Sequence, residues 1–264
     1  MIPSASWLGE PETTLLILLF TGHVVGDFLL QTRAMVERKG EPPVLLRHAA
    51  MILMAHLVTL LPFLPGELRS LGAAFLLLLL LGTLHALVDL GKLRWQKRTG
   101  GSSVTLFLVD QATHGMVVLA IWRIWRAWLG AEPGLMAPAD PALLAAAALL
   151  LTAYVLNGNA AAALIKLFLD RFPVAREAGE ASPGTDVQRM GKTIGILERM
   201  LVFSLVLMGQ WEAIGWFFAG KTVARFRELD NRAFSEYYLI GTLSSLLFAA
   251  ATGLGVRLAL RGSF

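Results

Sequence analysis

The sequence predicts an all-α fold, a polytopic membrane helix bundle of about eight transmembrane helices. Three observations predict it. The chain has 264 residues, of which 56% are hydrophobic and only 16% charged, and its mean hydropathy is +0.63. Apolar stretches of about 20 residues, the length that crosses a bilayer, recur from end to end; L-L-I-L-L-F at 15–20 and A-F-L-L-L-L-L-L-G at 74–82 carry almost no polar atoms. Clusters of Pro and Gly separate those stretches, where helices stop.

Taken in order, helices are expected over residues 13–32, 44–63, 70–92, 103–128, 141–170, 190–208, 211–228 and 234–260. The breaks fall at Pro42-Pro43, at Pro62 and Pro65, at Gly100-Gly101, at Pro133 to Pro141 and at Pro173 to Pro183. A short Gly209-Gln210 turn is all that separates the sixth from the seventh. The Pro-, Ala- and Gly-rich segment 130–141 divides the chain into two four-helix halves, 1–132 and 133–264, with no convincing repeat between them. The first 14 residues hold Glu10 and Glu12 and no Lys or Arg, so they lack the basic region of a cleaved leader and the first span is expected to stay. The loop 172–191 contains A-R-E-A-G-E-A-S-P-G-T-D, polar enough to be mobile.

Basic residues set the orientation. With the N-terminus outside, seventeen Lys and Arg fall on inner loops and inner span ends, among them Arg38, Lys39, Lys92, Lys97, Arg98, Lys221 and Arg225. Five fall outside and Arg199 lies within a span. That bias places both termini outside. Trp122, Trp125, Trp128 and Trp211 then reach the outer surface, as an aromatic belt does. The same distribution accounts for the net charge of +4 and the pI of 9.7 without nucleic acid as a partner. The chain has no Cys, which excludes disulfides, thiolate ligands and cysteine nucleophiles.

The chemistry lies in the polar residues of the apolar runs. His23 and Asp27, His85 and Asp89, and Asp110 and His114 are each four apart, one helical turn above each other on one face. Random placement of the five His and seven Asp gives about 0.3 such pairs, so three is about a tenfold excess. Ionisable groups at mid-helix in a bilayer cost about 2.5–3.5 kcal/mol each, so they need partners or a task. By the charge-derived orientation all three pairs, with His48, lie in the cytoplasmic halves of their spans; His56 lies deeper. Gly22 and Gly26, also four apart, let a neighbouring helix approach closely. One reading is that the pairs only lock helices together. The sharper one is a site for one or two divalent transition-metal ions, Zn first and Mn or Fe next. Its candidate ligands are His23, Asp27, His48, His56, His85, Asp89, Asp110 and His114; a ligating His commonly gives its other N–H to a carboxylate, so an Asp of the set can also stand behind a His. Gln31 and Gln111 are candidates to orient substrate or water.

The runs H-V-V-G-D-F-L-L-Q-T, H-A-L-V-D-L-G-K and F-L-V-D-Q-A-T-H resemble the bacterial membrane family filed as domain of unknown function 3307. G-K-T-I-G-I-L-E-R, K-T-V-A-R-F and E-Y-Y-L-I-G-T-L-S-S resemble the C-terminal part of its longer members. The resemblance implies a bacterial integral membrane protein and carries over no activity. In pattern only, the chain is also similar to membrane-bound metal-dependent hydrolases with intramembrane His and Asp, and its His-x-x-x-Asp to the transport site of zinc-efflux proteins.

In the second half, Glu198 and Arg199 lie about two turns into the sixth span, and Lys221 and Arg225 are four apart near the inner end of the seventh. Lys221 and Arg225 either snorkel to the inner surface, with Glu198 pairing one of them, or join Arg199 in a clamp for an anionic head group. The leading expectation for function is metal-dependent hydrolysis of a lipid-linked or membrane-permeant substrate from the cytoplasmic side of the bacterial inner membrane, with Asp27, Asp89 and Asp110 as the catalytic carboxylates. The rivals are a divalent-metal or proton-coupled transporter and a non-catalytic assembly protein. The lipid bilayer and a lipid-linked or anionic small substrate are the expected partners, and a homo-oligomer is compatible with the sequence.

Overall fold

A computed structural model describes residues 5–134, 136–172 and 185–261; the expected loop 172–191 falls largely outside the described residues. Among the described residues every regular element is helical. The elements are α1 (Pro11–Val24), α2 (Arg33–Glu37), α3 (Pro42–Leu60), α4 (Leu68–Thr99), α5 (Val104–Leu129), α6 (Pro141–Val155), α7 (Ala161–Leu169), α8 (Thr185–Met208), α9 (Trp211–Ala224) and α10 (Arg232–Leu260). Local chemistry explains the ends. Pro stands in the first turn of α1 and α3, where no backbone N–H is needed. The Ser103 hydroxyl accepts from Leu106 N at the start of α5. Gly100, at φ 79°, closes α4 in the left-handed conformation that glycine tolerates.

Among the described residues, six helical segments are long and apolar enough to cross a membrane: Pro11–Leu30, Pro42–Phe63, Leu68–Thr99, Val104–Leu129, Pro141–Leu169 and Phe234–Leu260. Six of the eight expected spans are thus supported by length and composition. The sixth and seventh expected helices do form, as α8 and α9. But α9 has 14 residues, about 21 Å of helix against roughly 30 Å of hydrocarbon, and α8 carries Lys192, Glu198 and Arg199 amid its apolar residues.

The first and fifth of these segments are not continuous α-helices. Residues Val25–Leu30, after α1, and Leu156–Ala160, between α6 and α7, are π-helical, and Gly158 has a non-helical ψ of −109°. The chain groups into two compact units. One runs to Val155 and takes in the last residues from Ala259; the other runs from Leu156 to Leu258. The division falls later than the 130–141 linker, because α6 packs on α1, where the Thr21 hydroxyl lies 2.9 Å from that of Thr152 and donates to the Ala148 carbonyl at 3.3 Å.

In the first unit α1, α3, α4 and α5 pack around one apolar core. It includes Leu15, Leu18, Leu19, Ile52, Leu60, Leu77, Leu81, Val118, Ile121 and Trp125. Trp125 is 1% exposed and fills this core, so it is not part of an aromatic belt; Trp128 on the same helix is exposed. Trp122 donates its indole N–H to the Glu12 carbonyl at 2.9 Å, with the Arg126 guanidinium 4.7 Å from its ring centre. Two glycines set how closely α1 and the π segment approach α3. A Cβ on Gly22 would meet Thr59 Oγ1 at 2.8 Å and the His56 ring at 3.0 Å; one on Gly26 would meet Ile52 Cδ1 at 2.5 Å and its Cα at 3.3 Å. The expectation drawn from that glycine pair is met by these distances.

In the second unit the break in the fifth segment frees backbone carbonyls, and Arg199 of α8 takes them. Its Nε donates to Asn157 O at 2.7 Å and its Nη2 to Gly158 O at 3.2 Å, while Nη1 reaches Ser245 Oγ at 3.3 Å. Asn157 Nδ2 donates to Thr252 Oγ1 at 2.9 Å. Each contact satisfies a group that would otherwise be buried without a partner.

Candidate functional site

Four elements of the first unit carry the polar cluster: α1 with its π segment (His23, Asp27), α3 (His48), α4 (His85, Asp89) and α5 (Asp110, His114). The residues sit in the C-terminal parts of the first segment and of α4 and in the N-terminal halves of α3 and α5, which an antiparallel arrangement brings to one level. All are buried. The i, i+4 spacing predicts a His23–Asp27 pair, yet His23 Nε2 stands 3.9 Å from Asp27 Oδ2. The reason is the π segment. Its wider turn carries Asp27 toward the neighbouring helices, where Oδ1 lies 3.1 Å from His48 Nε2 and 3.5 Å from His85 Nε2.

His85 is the hub. Its Nε2 lies 3.1 Å from His48 Nε2 and 3.4 Å from Asp89 Oδ2, and its ring centre is 4.2 Å from that of His114. His23 stacks on His114 with 5.1 Å between ring centres. His114 Nδ1 donates to the Asp110 backbone carbonyl at 3.0 Å. A carbonyl only accepts, so this bond fixes the tautomer and leaves Nε2 as a bare nitrogen facing the cluster.

Among the described residues, three sets of three bring ligand-type atoms within 4.8 Å of one another: His23, Asp27 and His114; Asp27, His48 and His85; and His85, Asp89 and His114. The sets share Asp27, His85 and His114, so they form one continuous centre. In these sets His23 Nε2 and His114 Nε2 are buried without a hydrogen bond, as is Asp110 Oδ1 outside them, while Asp27 Oδ1 and Asp89 Oδ2 face imidazole nitrogens at 3.1–3.5 Å. Buried polar atoms in folded proteins are almost always bonded. Here the atoms left over are imidazole nitrogens and carboxylate oxygens pointed at common ground, the donor set of a Zn, Mn or Fe site.

Two of the predicted ligands stand outside those sets. His56 donates from Nδ1 to Ile52 O at 2.8 Å and packs its ring on Gly22. Asp110 turns Oδ2 to Lys92 at 2.6 Å and to the Gln111 amide at 3.1 Å, and supports His114 through its carbonyl. The Gln31 amide lies 3.4 Å from both ring nitrogens of His48. Of the residues predicted in the second half to bind substrate, Glu198 accepts from Lys221 Nζ at 2.7 Å, Arg199 holds the carbonyls described above, and Lys221 and Arg225 lie over the Tyr238 ring at 5.1 and 5.9 Å. All four belong to the second unit.

Two site residues escaped sequence reasoning because they were counted as orientation charges. Lys39, only 8% exposed, donates to Asp89 Oδ1 at 2.7 Å, and Lys92 holds Asp110. Lys92 had a signal: with His85 and Asp89 it makes an i, i+4, i+7 series on one helix face. Lys39, in the turn after α2, had none.

Residues 15–132 match the model of a family described as Protein of unknown function (DUF3307), so the resemblance seen in the motifs is shown over the segment that builds the cluster. No curated protein and no solved structure matches the chain.

Proposed function

We propose that this chain is a multi-pass protein of the bacterial inner membrane that hydrolyses a lipid-linked or membrane-permeant substrate at a centre of one or two divalent metal ions, zinc foremost. The observation that carries the reading is that imidazole nitrogens and carboxylate oxygens of His23, Asp27, His48, His85, Asp89 and His114 lie within 4.8 Å of one another in three overlapping sets, with His23 Nε2 and His114 Nε2 buried and without a hydrogen bond. Polar residues kept only to lock helices would pair off; these leave two imidazole nitrogens, on α1 and α5, without a partner.

A bound ion there would lower the pKa of a water toward neutrality. Asp110, outside the three sets and with Oδ1 unbonded, is the carboxylate placed to take the proton. Gln31 and Gln111 border the centre beside His48 and Asp110 and would orient the water or the scissile group. Access is from the inner side. The centre lies beside Lys39, Lys92 and the other basic residues whose bias places them in the cytoplasm, and Asp89 lies roughly 30 Å along α4, near the end of a hydrocarbon crossing. With six or with eight spans both termini stay outside.

A divalent-metal or proton-coupled transporter needs a polar route to the other side as well. The apolar core with Leu15, Leu18, Leu77, Val118, Ile121 and Trp125 occupies that end of the four helices, which favours the hydrolase. Reconstitution in sealed vesicles with bacterial lipid extract and an enclosed metal-sensitive dye decides between them. The hydrolase reading expects a new lipid product that disappears in Asp89→Asn. Metal flux lost in that variant, without lipid turnover, overturns it in favour of transport; neither activity leaves the assembly role.

A further inference from the structure

We propose that Lys39 and Lys92 are the receptor for a phosphate group on the substrate. The inference rests on the metal reading and names the substrate class. Among the described residues, Lys39 Nζ bonds only Asp89 Oδ1 and Lys92 Nζ only Asp110 Oδ2. An ammonium has three protons, so each lysine keeps donors for a second acceptor. Both are anchored on carboxylates that flank the His85–His114 pair, and Asp89 uses its two oxygens differently. Oδ1 holds Lys39, and Oδ2, unbonded, lies 3.4 Å from His85 Nε2 in one of the three ligand sets. An anion with one oxygen at that ligand set would find an ammonium one carboxylate away.

The charge balance points to the same class. Asp27, Asp89 and Asp110 against Lys39 and Lys92 leave one net negative charge when the imidazoles are neutral. One divalent ion turns that into one positive charge, and two ions into three. Unbalanced charge in so buried a place is costly, so the loaded centre demands an anion. With two ions, a phosphate ester dianion answers two of the three charges, whereas a proton passed from the bound water to Asp110 leaves the sum unchanged. Lysine suits phosphate as a point charge free to serve any of its oxygens. Lys39 is held in place before the anion arrives by its 2.7 Å bond to the buried Asp89 carboxylate.

The test uses the full chain loaded with Mn²⁺ and follows phosphorus NMR line broadening by the bound ion. One arm adds inorganic phosphate to protein in detergent; the other places the protein in nanodiscs containing phosphatidic acid. Broadening of either signal beyond that seen with Asp89→Asn supports the proposal, and the arm that responds tells a soluble phosphate from a lipid head group. Lys39→Gln and Lys92→Gln, each compared with wild type at matched Mn²⁺ occupancy, should weaken phosphate binding by roughly tenfold or more. Lys92 lies at the rim, with its side chain 24% exposed, so its variant keeps the test open if Lys39→Gln fails to fold. Retained Mn²⁺ with no broadening in either arm, or with both variants binding as wild type, overturns the lysine proposal and leaves the metal reading standing. Failure to retain Mn²⁺ overturns the metal reading itself.

Discussion

Nε2 of His48 lies 3.1 Å from Nε2 of His85. Two imidazoles from different helices thus point the same ring atom at one spot, with Asp27 Oδ1 3.1 and 3.5 Å away. Without an ion, one of the two must donate and the other accept, which fixes different tautomers on the two rings. A cation between them serves both, and the predictions below follow from treating that convergence as the purpose of the four-helix arrangement.

The arrangement depends on the contact between Gly26 and Ile52. Gly26→Ala places a methyl 2.5 Å from Ile52 Cδ1 and 3.3 Å from its Cα, so the helices must part. Thermal unfolding in detergent should show a loss of about 1–3 kcal/mol. Ile52→Val, which removes Cδ1, should recover part of it. An unchanged Tm would mean that the approach does not hold the cluster together.

Arg199 is expected to act on stability and not on the centre. Arg199→Met strips two donors from the buried carbonyls of Asn157 and Gly158 and should cost about 1–3 kcal/mol per group left unsatisfied. Metal content should not change. A variant that unfolds as wild type but no longer binds an anionic lipid would instead return Arg199 to a binding role.

What was legible in the sequence follows from what the sequence encodes locally. The His/Asp spacing and the Gly22–Gly26 pair are properties of a single helix face, and both reappear in the structure as expected contacts. The π segments were not legible. A wider turn at Val25–Leu30 leaves no compositional mark, and within it Asp27 reaches His48 and His85 at 3.1 and 3.5 Å while staying 3.9 Å from His23. The break at Leu156–Ala160 was likewise read as continuous helix, although Asn157, Gly158 and Asn159 are poor helix formers. Lys39 shows the limit of charge counting: a lysine in an inner turn reads as orientation, and only its distance to Asp89 reveals that it faces inward.

The orientation can be checked because the chain has no cysteine of its own. Single cysteines at Gly40 and at the exposed Ser102, in turns on the basic side, should be shielded from an impermeant maleimide in intact cells. One at Gly134 would clash with Leu64 O, so the neighbouring exposed Met136 is the better site on the far side, and Met136→Cys should label. The reverse pattern would overturn the placement of the centre toward the cytoplasm.

The most direct test of the central claim is elemental analysis of the purified chain. Wild type should retain roughly one or two transition-metal ions per chain, with lower retention as pH falls, because imidazole must be neutral to coordinate. Asp89→Asn and His114→Ala should each reduce the metal content by tenfold or more in affinity while remaining helical. Metal-free protein that stays folded and unchanged in behaviour, with both variants indistinguishable from wild type, would contradict the account and leave the histidines and aspartates as a means of holding helices together.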